Sequence, residues 1–108
     1  MTPVSGVAAV GECMIELSGA AADNWRMGFA GDTFNQIWAL RALLPAAQSA
    51  DYVTAFGDDP FSDRQRAFMA EHAIGPAASP VIPGARPGLY AITLEGHERS
   101  FTYWRADS

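Results

Sequence analysis

A single cysteine, Cys13, is the whole thiol content of this 108-residue sequence. No disulfide can form within it, and Cys13 stands among apolar residues with no cation beside it, the setting of a buried inert thiol. Positive charge is scarce as well. Seven Lys plus Arg against twelve Asp plus Glu leave a formal net charge of -5, and without a basic stripe to neutralise phosphates a nucleic-acid surface is not expected. No apolar run approaches membrane-spanning length, and Met1-Thr2-Pro3-Val4-Ser5-Gly6 has neither the basic region nor the apolar core of a secretory signal. The cytoplasm is the expected location, with no membrane partner. The two histidines, His72 and His97, have no Cys or carboxylate at metal-ligand spacing, so no metal site is expected. Phosphate loops are missing too. Gly6 and Gly11 have the glycine spacing of a Walker loop, but Glu12 stands where a lysine is required and would repel a triphosphate. Gly28, Ala30 and Gly31 fail the dinucleotide fingerprint.

What is present is a globular pattern. Hydrophobic residues make up 49% of the chain, enough for one domain with a core. Val7 to Val10 and, beyond Gly11, Cys13 to Leu17 read as a buried parallel strand, and Asp23 to Phe29 as a further short one. A helix follows Ala30-Gly31, capped by Asp32 or Thr33, with Phe34, Ile37 and Trp38 on its apolar face and Pro45 as its stop. Tyr52 to Phe56 is a second core strand closed by Gly57. Asp58 and Asp59 precede Pro60, which opens a helix running through Phe61, Gln65, Phe68, Met69 and His72 to Gly75. A loop over 76–86, rich in Pro, Ala and Gly, leads to the last segment. Strand and helix alternate with short connections, which predicts an α/β doubly wound, mainly parallel sheet with a hairpin outside it. Ligands bind beyond the carboxyl ends of such strands, here the rim of Gly11-Glu12, Gly31-Asp32 and Gly57-Asp58-Asp59.

The terminal segment is a hairpin. Two alternating runs, Pro87 to Leu94 and Arg99 to Arg105, flank the short turn Glu95-Gly96-His97-Glu98, in which Gly96-His97 suits a two-residue loop needing positive φ at its first position. That register sets Glu95 opposite Glu98, Leu94 opposite Arg99, Ile92 opposite Phe101 and Tyr90 opposite Tyr103. The period of two adds Arg105 to the face of Tyr90 and Tyr103. Two phenols and a guanidinium can make a clamp for a carboxylate or a sugar; the geometry alone is that of an ordinary exposed ribbon face with aromatic cross-strand packing. Asp32 and Asn35 on the first turn of the first helix either bond polyol hydroxyls or cap and solvate that helix, while Gly31 admits close backbone approach. Glu12 likewise holds hydroxyls or ends a strand in solvent.

The segments Val10-Gly11-Glu12-Cys13-Met14-Ile15-Glu16-Leu17, Gly28-Phe29-Ala30-Gly31-Asp32-Thr33-Phe34-Asn35, Val53 to Ser62, and Pro87 to Tyr90 with Arg99 to Arg105 resemble, in order, the 2-keto-3-deoxygluconate kinases. These belong to the ribokinase-like, or PfkB, carbohydrate kinases. The resemblance implies ATP-dependent phosphorylation of the terminal hydroxyl of 2-keto-3-deoxygluconate, with ATP and Mg2+ as cofactors of the complete enzyme. It implies substrate contacts from Gly31, Asp32, Thr33, Phe34 and Asn35 and from Tyr90, Tyr103 and Arg105, with Glu12 beside them and Arg105 as partner of the sugar-acid carboxylate. It also implies a hairpin lid at about 87–105 through which two copies pair as a homodimer. The chain reads as the amino-terminal part of a single PfkB-type domain. It departs from the family at Ala30, where a glycine pair is usual, and it contains no Gly-Ala-Gly-Asp type motif, whose aspartate is the expected general base. No catalytic residue is therefore assigned to it, and alone it is expected to be inactive. A PfkB kinase for fructose or a nucleoside, and a non-catalytic sugar-acid binding or assembly module, are the other readings.

Overall fold

The computed structural model describes residues 6–21, 24–75 and 79–106. Residues 1–5, where no signal segment is expected, lie outside it, as do 22–23, 76–78 of the linking loop and 107–108. The elements run β1 (Gly6–Val10), β2 (Met14–Ala21), β3 (Asn24–Ala30), α1 (Asp32–Leu43), β4 (Ser49–Val53), α2 (Pro60–Glu71), β5 (Leu89–Glu95) and β6 (Glu98–Trp104). They form an α/β fold with two sheets. β1 and β4 pair in parallel, and β3-β2-β5-β6 form a mixed four-stranded sheet in which the β2–β5 pair is parallel.

The run from Val7 to Leu17 is therefore not one strand. β1 ends at Val10, and Gly11 still donates its N–H to the Val53 carbonyl at 3.1 Å. There the chain leaves the first sheet, and Ile15 donates to the Gly88 carbonyl at 2.9 Å to enter the second. Contact decides this break, not pattern: a Cβ on Gly11 would stand 2.0 Å from Thr33 Oγ1, so only glycine lets α1 close on the strand end. Nor is β1 fully buried, since Val10 is 69% exposed on the face turned away from the helices.

The core lies between β1–β4 and the helices. Phe34, Ile37, Tyr52, Met69 and Ile74 are essentially excluded from water, each such side chain contributing about 1.5–3 kcal/mol of transfer free energy. Trp38, on the expected apolar face, instead lies half out, stacked on Phe68 at 5.3 Å. Arg41 closes the other end of α1 by donating to the Pro45 and Gln48 carbonyls, each at 2.8 Å.

The two helix starts differ. The N-cap of α1 is Gly31, with no side-chain cap; Asp32 is the exposed first-turn acid, and Thr33 turns its hydroxyl to Tyr52 Oη at 2.7 Å. The expected cap by Asp32 or Thr33 is thus absent, because Gly31 is packed against the Glu12 carbonyl and the helix starts one residue early. A Cβ at Gly31 would lie 2.5 Å from that oxygen. At α2 the cap is Asp59. Asp59 accepts from the Phe61 and Ser62 N–H groups at 3.1 and 3.3 Å and from Ser62 Oγ at 2.5 Å, with Pro60 at the first helical position. Asp58 serves elsewhere, accepting from Gly84 N at 2.9 Å. Asp59→Ala lowers stability by about 1–2 kcal/mol, read as a lower denaturant midpoint at unchanged slope; an unaltered midpoint would remove the cap from the account.

Candidate functional site

The mixed sheet carries the hairpin. Its register matches the pairing read from the sequence at every position, Tyr90 with Tyr103, Ile92 with Phe101, Leu94 with Arg99 and Glu95 with Glu98, and Gly96 turns at φ 65°. The hairpin lies outside the β1–β4 layer, as expected, but β2 and β3 join it into one sheet. Side-chain contacts fasten that sheet to the body. Phe29 packs on Phe68 with ring centroids 5.3 Å apart, and buried Gln65 donates Nε2–H to the Cys13 carbonyl at 2.9 Å.

One row of residues crosses all four strands: Gly28, Glu16, Tyr90 and Tyr103. Register partners share a face, so the Tyr90 hydroxyl donates to Glu16 Oε2. The Tyr90 and Tyr103 rings lie 5.7 Å apart, and Phe101 extends the aromatic floor at 6.4 Å from Tyr103. Nothing stands within 4 Å of where a side chain on Gly28 would begin, which leaves the row open at that end. Burial first, then the hydrogen bond to Glu16 and the charges of Glu16 and Asp32, push the Tyr90 phenol well above its ordinary range. It remains a neutral donor throughout the physiological range.

Arg105 follows β6, and its Nη2 lies 2.5 Å from Glu12 Oε1, joining the end of the hairpin to the β1–β2 connection. Gly88 makes room for this meeting. A Cβ there would stand 3.1 Å from both Arg105 Cβ and Glu12 Oε2. Glu12, Gly11, Gly57 and Gly88 line a cavity of about 260 Å³ at the carboxyl ends of β1 and β4, which joins two of the three expected rim segments. Tyr103 and Arg105 line a second, largely apolar cavity of about 860 Å³ with Ile15, Phe61, Leu89 and Trp104.

Tyr90 and Tyr103 are thus brought together, as are Arg105 and Glu12, while Tyr103 and Arg105 line one cavity and Asp32 is near enough for its charge to act on Tyr90. Gly31 touches the same connection through the Glu12 carbonyl. Two expected contacts, Phe34 and Thr33, are placed differently. The Phe34 ring is 2% exposed and packs edge-on against Tyr52 at 5.4 Å, so the side chain belongs to the core because it points inward from the first turn. The Thr33 hydroxyl is taken by Tyr52. Asn35 is exposed on α1 and gives its backbone N–H to the Gly31 carbonyl at 2.8 Å. Glu16 was missing from the expected set. Its signal was available, because in Met14-Ile15-Glu16-Leu17 the period of two puts the carboxylate on the face opposite Ile15 and Leu17. Cys13 is buried, and burial with the Glu12 charge pushes its thiol up to about 12, as an inert thiol requires. Among the described residues no group of three or more His, Cys, Asp or Glu could hold a metal ion, and no helix is long and apolar enough to cross a membrane.

Comparison with known proteins gives a consistent set. The model of the pfkB family carbohydrate kinase matches residues 4–108. The 2-dehydro-3-deoxygluconokinase of Dickeya dadantii is 40% identical over 104 residues, covering 94% of this chain and 33% of that protein. The Escherichia coli K12 protein of the same name is 39% identical over 104 residues with the same coverage. The chain spans about a third of the length of these curated relatives. Among solved structures, Xylella fastidiosa fructokinase with bound ATP superposes with a TM-score of 0.84 at 21% identity, covering 98% of this chain and 32% of that one. The 2-dehydro-3-deoxygluconokinase of Thermotoga maritima gives 0.78 at 21% identity, covering 94% and 32%. At that identity the two structures speak for the fold.

Proposed function

We propose, from the premise that the chain belongs to the pfkB family of carbohydrate kinases, that the full-length protein transfers a phosphoryl group from ATP to the terminal hydroxyl of 2-keto-3-deoxygluconate. In this reading the 108 residues are the amino-terminal, substrate-binding part of one kinase domain, with 87–105 as its lid. The observation that carries it is the pairing of Tyr90 with Tyr103 on one sheet face, with Arg105 following the same strand and joined to Glu12. The names of the curated relatives support the choice of substrate.

Chemistry assigns the roles. A guanidinium offers paired donors that fit a carboxylate, so Arg105 takes the acid group of the sugar. Tyr103, half exposed, and Tyr90, kept neutral beside Glu16, bond hydroxyls. Asp32 and Asn35, exposed on the first turn of α1, reach further hydroxyls, and Gly31 lets the backbone approach. Phe34 and Thr33 support this loop from inside. ATP with Mg2+ supplies the phosphoryl group in the full-length protein, and none of their ligands is assigned to this chain. The 108 residues contain no Gly-Ala-Gly-Asp type motif, so no base here deprotonates the attacking hydroxyl and the chain alone gives no turnover. The cytoplasm is the proposed location.

The lid also provides the proposed contact between two copies. β6 is an edge strand exposed along its length, with Phe101, Tyr103 and Trp104 each about half in solvent, an edge that a second copy can pair with or cover. Sedimentation of the full-length protein at increasing concentration shows a dimer if this holds.

Titration calorimetry on the full-length protein tests the substrate. Binding of 2-keto-3-deoxygluconate tighter than that of fructose supports the reading. Preference for fructose would point to a neutral-sugar kinase on the same fold. Turnover by the 108-residue chain alone in an ATP-coupled assay would refute the absence of a base.

A further inference from the structure

The ion pair between Arg105 and Glu12 ties together residues 93 positions apart in sequence. It sits where β1 crosses to β2 and where the hairpin ends. Glu12 lines the smaller cavity and Arg105 the larger, while Arg86 and Pro87 line both. The pair therefore spans the wall between the two. Gly88 presses on both partners, since even a single carbon there would stand 3.1 Å from each. A glycine at this place keeps the carboxylate and the guanidinium within reach of one another.

Glu12 is also a chemical likeness of the proposed ligand. Its carboxylate engages the Nη2 of a guanidinium that this account assigns to the carboxylate of a sugar acid. One guanidinium facing two carboxylates at hydrogen-bond distance brings two like charges together, and the Nη2 N–H that Glu12 holds is withdrawn from the fork of donors a ligand carboxylate would use. Both side chains are partly solvated, Arg105 at 54% and Glu12 at 35% exposure, so exchange requires no burial of an unpaired charge.

We infer that Glu12 is an internal competitor for Arg105: its carboxylate holds the position that the carboxylate of an acidic ligand takes, and binding exchanges one for the other. This rests on the reading of Arg105 given above. It makes Glu12 a specificity-determining residue that lowers affinity for acids, in place of the hydroxyl contact expected from the sequence. The exchange also releases the end of the hairpin from the β1–β2 connection, coupling acid recognition to lid position. A neutral sugar offers nothing to trade for Glu12 and leaves the tie in place.

The test is calorimetric titration of the full-length wild type, Glu12→Gln and Glu12→Ala with 2-keto-3-deoxygluconate and with fructose. Glutamine keeps the volume and removes the charge, while alanine removes both at a partly exposed position where no cavity results. In both variants the ratio of acid to neutral affinity rises, by about two- to fivefold, the range set by a partly exposed ion pair. A wild type that prefers the acid, with variants whose ratio is unchanged or lower, overturns the competition and leaves the proposed substrate standing. A wild type without preference for the acid overturns both.

Discussion

Replacing Arg105 by glutamine in the full-length protein lowers kcat/KM for 2-keto-3-deoxygluconate by on the order of 10- to 100-fold, the cost of losing one hydrogen-bonded charge partner. For a neutral sugar the change stays within about threefold, because no carboxylate has lost its partner and only local packing is altered. The sign follows from the fork of donors: glutamine keeps a polar end but neither the charge nor the paired N–H groups. Arg105→Lys falls between, retaining charge without the planar geometry. Half of the Arg105 side chain is in solvent, so the figure belongs at the low end if the lid stays open on binding and at the high end if it closes and dries the pair. Equal losses on acid and neutral sugars would take Arg105 out of carboxylate recognition.

Phe34→Ala destabilises the protein by about 3–5 kcal/mol, the range for removing a fully buried aromatic ring. The ring contacts Tyr52 edge-on at 5.4 Å and lies 6.3 Å from Phe68 and 6.5 Å from Trp38. Its loss empties the space under the first turn of α1, the same turn that carries Asp32, Thr33 and Asn35. The outcome separates two roles that the sequence allows to be confused. A core residue lowers the denaturant midpoint sharply, whereas a ligand contact raises KM with little effect on stability. Phe34→Leu recovers most of the stability if packing is the role. A large KM effect at unchanged midpoint would return Phe34 to the substrate.

The parts of the fold that were legible in the sequence are those set by local rules. Gly96 between two alternating runs fixes the hairpin register, and with it the shared face of Tyr90 and Tyr103. Pro60 behind Asp59 fixes the start of α2. The α/β order was visible for the same reason, as each helix has its own start and stop chemistry. What was hidden depends on residues distant in sequence. The division of Val7 to Leu17 between two sheets is decided by Thr33 closing on Gly11 and by Gly88 receiving Ile15. Those contacts are invisible to a run of apolar residues. The same holds at the site. Thr33 has the chemistry of a cap until Tyr52 is seen beside it, whereas Phe34, read on the apolar face of its helix, lies there in the core. Glu16 and Tyr90 meet from 74 positions apart, so the parallel pairing of β2 with β5 had to be known before their bond could be drawn.

The crystal structure of the full-length protein with 2-keto-3-deoxygluconate bound is the most direct measurement of the central claim. The sugar-acid carboxylate is expected within about 3 Å of the Arg105 guanidinium, with Tyr90 and Tyr103 over the hydroxyl-bearing carbons and Glu12 turned away from Nη2. A carboxylate held by other cations, with Arg105 still on Glu12 and the two tyrosines clear of the sugar, would contradict it.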